Sequence, residues 1–226
     1  MDNILITNFA ASIFALLDPL SVLPIFISYT AGEKRKVQRW VALFLSLTVL
    51  VLLLVFFFAG SALLKFFGIS LDAFRIAGGI LLLIIGINIA IGDAKKSASD
   101  FADSKEASPL QEAELVYRKI VIPLAMPLLV GPGVIANVVL YATEVEYHKN
   151  SGLFFELVGT IICLSALIFA ILLSGRWLQK MVGGVGLNIL TRILGLLVSS
   201  MGVQFMIKGL SNIIVHSLMP EILKVH

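Results

Sequence analysis

The sequence predicts an all-α polytopic membrane protein, and three observations lead to that fold class. Of its 226 residues, 59% are hydrophobic and only 14% are charged, whereas soluble domains carry roughly 25% charged residues. Six apolar segments reach the length of about 20 residues that a transmembrane helix needs. The first and fourth of these segments share a Pro-x-x-x-x-Pro motif, at positions 19/24 and 127/132. The composition excludes a soluble domain, and the shared motif indicates an internal repeat.

The six predicted transmembrane helices divide the chain into two halves. They span residues 4–29, 40–66, 72–92, 119–142, 153–175 and 188–210. The N-terminus lacks the basic segment of a cleavable signal peptide, so we expect the first helix to persist in the mature protein. The predicted organisation is a first three-helix repeat at 1–92, a polar cytoplasmic linker at 93–118 with a short helix at 109–117, a second three-helix repeat at 119–212 and a C-terminal tail at 213–226.

Lysine and arginine are concentrated on one side of the predicted bundle. The first, third and fifth linkers, with their adjoining helix ends, hold 12 of the 17 basic residues. Cytoplasmic loops are the ones enriched in these residues. The bias therefore predicts a multi-pass protein of the cell inner membrane with both termini outside, in the periplasm.

Glycine spacing extends the similarity between the two halves. Gly79 and Gly86 are seven residues apart in the third predicted helix, as are Gly195 and Gly202 in the sixth. Seven residues are about two helical turns, so each pair lies on one face and favours close helix packing. Because each unit has three helices, its second copy must enter the membrane from the opposite side. This pattern is typical of an inverted-repeat transporter, in which broken helices at corresponding positions mark the binding site.

Helices one and four are predicted to be broken near the bilayer midplane. Proline removes a backbone donor and clashes with the preceding turn, and Gly131 and Gly133 permit close approach to the backbone. Irregular backbone at membrane depth is tolerated only where protein or a water-filled cavity covers it. This favours a binding site, in which freed amides bind a carboxylate, over a simple kink.

Asp18 has two interpretations that do not exclude each other. An ionisable side chain near the bilayer centre is costly and indicates a functional site, which would bind an ammonium group or a coupling cation, or exchange a proton. Asp18 followed by Pro19 is also the arrangement that begins a helix, with the carboxylate as N-cap. The predicted substrate-binding residues are Asp18, Pro19, Ser21, Pro24, Pro127, Gly131, Pro132, Gly133 and Asn137.

Other kinds of chemistry find no support in the sequence. The three histidines lack metal-ligand spacing, and no nucleotide-binding glycine loop or nucleophile triad is present. No second catalytic group accompanies Asp18, so we expect neither an enzyme nor a cofactor. The expected partners are a small-molecule substrate and the lipid bilayer, without nucleic acid. A coupling H⁺ or Na⁺ and a homo-oligomer are compatible with the sequence.

The chain resembles the MarC family of six-helix inner-membrane proteins over residues 1–212. The stretches that carry the resemblance are Asp18-Pro19-Leu20 with Leu23-Pro24-Ile25-Phe26, Phe67-Gly68-Ile69-Ser70-Leu71 with Phe74-Arg75-Ile76-Ala77-Gly78-Gly79, and Ile122 to Gly133. Ser21-Val22 differs from the Gly-Asn that family members commonly have there. The resemblance implies transport of small neutral amino acids such as glycine, alanine or serine.

The function predicted from the repeats and the breaks is secondary transport, with the substrate between helices one and four. The substrate carboxylate would face amides near Gly131 and Gly133, and its ammonium group or a coupling cation would face Asp18. Rocking of one repeat against the other would provide alternating access. The alternatives are a channel or pore for small solutes, an exporter of another small metabolite, and a membrane scaffold without transport activity.

Overall fold

The computed structural model describes residues 2–91, 108–148 and 151–215. All regular secondary structure in these ranges is helical. The α-helices are α1 (Asp2–Leu17), α2 (Pro19–Thr30), α3 (Arg35–Phe66), α4 (Leu71–Ile91), α5 (Pro109–Pro123), α6 (Pro132–His148), α7 (Ser151–Leu173) and α8 (Gly175–Ile213), with a π-helical segment (Leu124–Leu129) between α5 and α6. Most of the predicted linker 93–118 and of the tail 213–226 lies outside the described residues.

Five helical stretches within the described ranges are long and apolar enough to cross a membrane. They are Ile4–Thr30, Arg35–Phe66, Leu71–Ile91, Gly152–Leu173 and Trp177–Ile213. The fourth predicted span, 119–142, is not one helix, since it comprises the end of α5, the π-helical segment and the shorter apolar helix Pro132–Thr143. Its three prolines explain the interruptions, because each restricts the residue before it and removes a backbone donor.

Helix α5 begins with a capping box. Ser108 Oγ accepts a hydrogen bond from the Gln111 amide at 3.4 Å, and Gln111 Oε1 accepts one from the Ser108 amide at 3.0 Å. The sequence predicts a helix at 109–117, and the observed helix continues to Pro123 because its buried face, including Ala113 and Ile120, joins the core next to α3.

A charged cluster joins α5 to the linker between α2 and α3. Lys34 Nζ lies 3.0 Å from Glu112 Oε1. Burial raises the pKa of the Glu33 carboxyl and Glu112 raises it further, whereas Lys119 and Lys34 lower it. The first basic linker and α5 therefore meet at one end of the bundle.

Helix α3 forms the centre of the bundle. Its residues Val37, Val41, Leu45, Val49 and Leu53 recur every four positions and are fully buried, as expected for the core-facing stripe of a helix. Around α3 lie α5, α6 and α7, while α1 packs on α6 and α7, and α2 packs on α7 and α8. Helices of the first half therefore interleave with helices of the second.

Helices α4 and α8 run antiparallel in an extensive contact made by their glycines. A Cβ atom added at Gly79 would lie 2.6 Å from the Gly202 carbonyl oxygen, and one added at Gly202 would lie 2.5 Å from the Gly79 oxygen. Gly86 and Gly195 face each other in the same way. A Cβ atom added at Gly86 would lie 2.6 Å from the Gly195 carbonyl oxygen, and one added at Gly195 would lie 2.8 Å from the Gly86 oxygen. The prediction that these glycines permit close packing is confirmed, and the two pairs face each other.

Polar contacts and a glycine interruption define the ends of this helix pair. Asp72 Oδ1 accepts hydrogen bonds from Arg75 Nη1 at 2.8 Å and from Asn212 Nδ2 at 3.0 Å, which ties the start of α4 to the end of α8. Near the other end of α8, Gly183 has φ 68° and ψ 174°, a conformation that other residues avoid. The helical path is interrupted there, so 175–182 forms a short segment ahead of the long remainder.

Candidate functional site

Asp18 separates α1 from α2 and caps α2. Its backbone is left-handed, with φ 40° and ψ 57°, a conformation that costs roughly 1–2 kcal/mol for most residues and that Asn and Asp adopt more readily. Its Oδ1 accepts a hydrogen bond from the Ser21 amide at 3.4 Å, and Pro19 is the first helical residue. The capping arrangement expected from the sequence is therefore present, and the half-buried carboxylate keeps further acceptor capacity.

The second junction extends from Ile122 to Pro132. Ile122 (φ −107°, ψ 106°) and Met126 (φ −141°, ψ 125°) are extended, as residues before proline tend to be. The Met126–Pro127 peptide bond is cis. The helical path is thus interrupted more than once before α6 begins at Pro132.

Glycines 131 and 133 are required by the packing of the protein itself. A Cβ atom at Gly131 would lie 2.6 Å from the carbonyl oxygen of Pro127, and one at Gly133 would lie 2.5 Å from the Phe205 ring of α8. The sequence offered no signal for Phe205, because an aromatic residue in an apolar helix is ordinary. Both glycines therefore have a structural role, whatever else approaches their amides.

Contacts between helices bring the two junctions into one part of the bundle. Both α1 and α2 contact the π-helical segment. Ser12 Oγ of α1 donates a hydrogen bond to Asn137 Oδ1 of α6 at 3.1 Å. Ser12 was not among the residues singled out from the sequence, although a hydroxyl in an apolar helix less than two turns before Asp18 was the available signal.

The two proline motifs have different local structures. Helix α2 begins at Pro19 and continues through buried Pro24. Pro127 instead lies inside the π-helical segment, and Pro132 begins α6, with its ring against Gly78 of α4. Pro24 therefore contributes buried packing surface in α2, whereas both prolines of the second motif stand at interruptions.

Some backbone amides at the second junction have no hydrogen-bond acceptor within the described part of the chain. They include the amides of Gly131 and Val134, and Val134 is only 1% exposed. Pro132 has no N–H, and the Ile135 amide donates to the Gly131 carbonyl oxygen at 3.0 Å. Free amides at a helix start attract anions. The helices on either side of Asp18 contact the π-helical segment that precedes these amides, so this part of the bundle contains donors for a carboxylate and an acceptor for an ammonium group.

Two other side-chain amides in the apolar helices lie away from the two junctions. Asn88 and Gln204 are exposed, on the sides of α4 and α8 away from their glycine contact, and neither side chain forms a hydrogen bond within the described residues. Within those residues, no group of three or more His, Cys, Asp or Glu side chains could hold a metal ion. The candidate site is thus confined to the two junctions.

Comparison with known proteins gives a consistent family match. The family described as MarC family integral membrane protein matches residues 4–214. UPF0056 membrane protein YhcE of Escherichia coli is 35% identical over 207 residues, covering 91% of this chain and 92% of that protein. A UPF0056 membrane protein of Pyrococcus abyssi is 39% identical over 203 residues, covering 88% and 91%. No solved structure matches.

Proposed function

The chain belongs to the MarC family of integral membrane proteins, and from this premise we propose that it is a secondary transporter of small neutral amino acids. Its family and its apolar helices make it an integral multi-pass membrane protein. The helix arrangement supports transport, and the sequence resemblance described above supports the glycine, alanine and serine class. No enzymatic activity or resident cofactor is part of the proposal.

The observation that carries the proposal is that glycines at corresponding positions of the two halves face each other between α4 and α8. A shift of 116 positions takes Gly79 to Gly195 and Gly86 to Gly202. When each residue is replaced by its equivalent in the other half, the contact between Gly79 and Gly202 corresponds to the contact between Gly195 and Gly86. Both contacts are present. The contact between Gly202 and the Leu83 amide likewise becomes that between Gly86 and the Ser199 amide, which is also present.

Whole-helix contacts follow the same exchange. Let α2 correspond to α6, α3 to α7 and α4 to α8. The contact between α2 and α8 then corresponds to the contact between α6 and α4, and both are present. The contacts α3–α7 and α4–α8 are each unchanged when the two halves are exchanged, and both are also present. Two inverted three-helix repeats account for this pattern, and such repeats provide alternating access by moving against each other around a site between them.

In the proposed mechanism the substrate binds between the Asp18 junction and the second junction, near the bilayer midplane. Its ammonium group pairs with the Asp18 carboxylate, which would also accept a coupling H⁺ or Na⁺. Its carboxylate faces amides near Gly131 and Gly133, at the positive end of the α6 dipole. The Phe205 ring of α8 packs against Gly133, next to these amides.

The proposed orientation places both termini in the periplasm. The Lys34–Glu112 pair joins the first basic linker to α5, and a cavity at the ends of α2 and α7 joins the first linker to the fifth. The contact of Asp72 with Asn212 lies at the opposite end. The basic residues of the first linker, of α5 and of the fifth linker at one end fit the enrichment of lysine and arginine in cytoplasmic loops.

Counterflow in reconstituted vesicles tests the proposal. We expect vesicles preloaded with unlabelled alanine to accumulate external radiolabelled alanine transiently, with saturable initial rates. Asp18→Asn should reduce those rates at least tenfold, since it removes the charge that pairs with the ammonium group. Protein-free vesicles provide the background.

The main competing function is a channel for small solutes. A channel would equilibrate labelled alanine without transient accumulation and without saturation. Absence of counterflow for glycine, alanine and serine, in vesicles where the protein is folded and correctly inserted, would contradict the proposed function.

A further inference from the structure

A cavity of about 470 Å³ lies where α2 ends, α3 begins, α7 ends and α8 begins. None of the nine predicted substrate-binding residues lines it. Its polar lining consists of Thr30, Arg35, Gln38, Arg39, Gln179 and Lys180. Its apolar lining includes Phe26, Ile27, Leu172, Leu173 and Trp177. The cavity is therefore a second concave site, at the membrane surface that the basic linkers assign to the cytoplasm.

The charge of this cavity is entirely positive. Arg35, Arg39 and Lys180 line it, and no acidic residue does. None of these three cations has an ion-pair partner within the described residues, where Lys34, Arg75 and Arg118 form the observed pairs. The carboxylate nearest in sequence, Glu33, interacts with Lys34 and Lys119. Three unpaired cations around one cavity repel one another, and an anion bound among them would relieve that repulsion.

The apolar side of the cavity lies at the end of a helix that is long and apolar enough to cross a membrane. Leu172 and Leu173 end α7, a membrane-spanning helix, and Leu173 is 41% exposed. Trp177 is 67% exposed at the start of α8, and tryptophan is typical of the membrane–water interface. A ligand here would meet cations at one end and apolar side chains at the other.

We propose that this cavity binds the phosphate of an anionic phospholipid headgroup, with an acyl chain along Leu173 and Trp177. Arg35 and Arg39 contribute guanidinium groups suited to phosphate oxygens, and Lys180 adds a third positive charge. Basic pockets between membrane helices on the cytoplasmic side recognise anionic headgroups in this way. A zwitterionic lipid carries an ammonium group that the three cations repel. The inference depends only on membrane insertion and not on the proposed transport activity.

Tryptophan fluorescence provides a direct test with the full chain. The protein has two tryptophans, so Trp40→Phe leaves Trp177 as the only one, at the cavity itself. In mixed detergent micelles we expect phosphatidylglycerol with brominated acyl chains to quench Trp177 at a several-fold lower mole fraction than brominated phosphatidylcholine. Arg39→Gln should reduce this preference about fivefold, the effect of one cation near an anionic headgroup.

Lys36→Gln is the matched control, since it removes one charge from the same helix end at an exposed residue outside the cavity lining. It should leave the preference unchanged, and Lys180→Gln provides a second cavity variant if Arg39→Gln does not fold. Equal quenching by the two lipids would overturn the proposal, as would equal losses in Lys36→Gln and Arg39→Gln. A change in Trp177 emission with inorganic phosphate or glycerol phosphate, but without lipid preference, would assign the cavity to a soluble phosphate compound and refute the lipid assignment.

Discussion

At the scale of single residues, Asp18 meets three requirements at once. It adopts a left-handed backbone, caps α2 through the Ser21 amide and places an ionisable carboxyl group inside an apolar stretch. Alanine would meet none of these requirements. Asparagine meets the first two, because it tolerates the left-handed region and is an N-cap as good as aspartate. Substitutions at position 18 can therefore separate structural support from electrostatic function.

We predict that Asp18→Ala lowers the free energy of unfolding by about 2–3 kcal/mol, the sum of a lost cap and a strained backbone. Asp18→Asn should change it by less than about 0.5 kcal/mol. Unfolding in detergent micelles measures both. Equal destabilisation by the two variants would mean that the charge itself holds the junction together. Full counterflow activity of Asp18→Asn would reduce Asp18 to a capping residue.

The sequence predicts the helix cap at Asp18, which the structure contains. Asp18 followed by Pro19 is a recognisable helix start, because each residue type has a local reason to be there. The left-handed φ, the bond from Ser12 to Asn137 and the ring of Phe205 on Gly133 depend on how distant segments meet. A local sequence pattern cannot predict such contacts between distant segments.

At the scale of helices, the α4–α8 contact depends on the absence of side chains. Gly86 faces the Gly195 carbonyl oxygen and the Ser199 backbone amide, so an added methyl group would meet main-chain atoms that cannot rotate away. Gly159 in α7 offers the opposite case, since nothing lies within 4 Å of the position of an added Cβ. The two glycines share a helical setting and differ in their surroundings.

We predict that Gly86→Ala destabilises the protein by about 1–3 kcal/mol through overpacking. Gly159→Ala should instead leave stability unchanged or raise it by up to about 1 kcal/mol, since alanine is the better helix former. Thermal unfolding of the purified variants compares them. Similar midpoints for both variants would show that α4 and α8 are not held together by this close contact.

The fourth predicted span shows what hydrophobicity cannot predict for a helix. Residues 119–142 form one apolar run, in which the prolines and glycines predict a break. The place of each interruption depends on the neighbouring helices, which the run itself does not reveal. Pro24 is accommodated inside α2, whereas Pro132 begins a helix against Gly78.

At the scale of the whole molecule, the first and fifth linkers and α5 meet at one end of the bundle, and this arrangement gives a topology test. Cys163 is the single cysteine and is exposed, so Cys163→Ser provides a thiol-free background. Ala31 in the first linker and Phe67 in the second are both exposed.

We predict that a membrane-impermeant maleimide added to spheroplasts labels Phe67→Cys and leaves Ala31→Cys unlabelled. Lysis should expose both to the reagent. Labelling of Ala31→Cys alone from outside would reverse the orientation and move both termini to the cytoplasm. This prediction rests on the concentration of lysine and arginine in the linkers at one end, because the helix packing alone does not indicate which end faces the cytoplasm.

The two proline motifs differ in local structure, and in the proposed mechanism this difference has a consequence for the substrate. That mechanism moves one repeat against the other around a site between them. Helix α2 continues through Pro24, whereas Pro132 stands at the start of α6, directly after an interrupted segment. The two sides of the proposed site would therefore be unequal, with a continuous helix on one side and irregular backbone on the other. We expect a bound substrate to meet different chemical groups on these two sides in every state of the cycle.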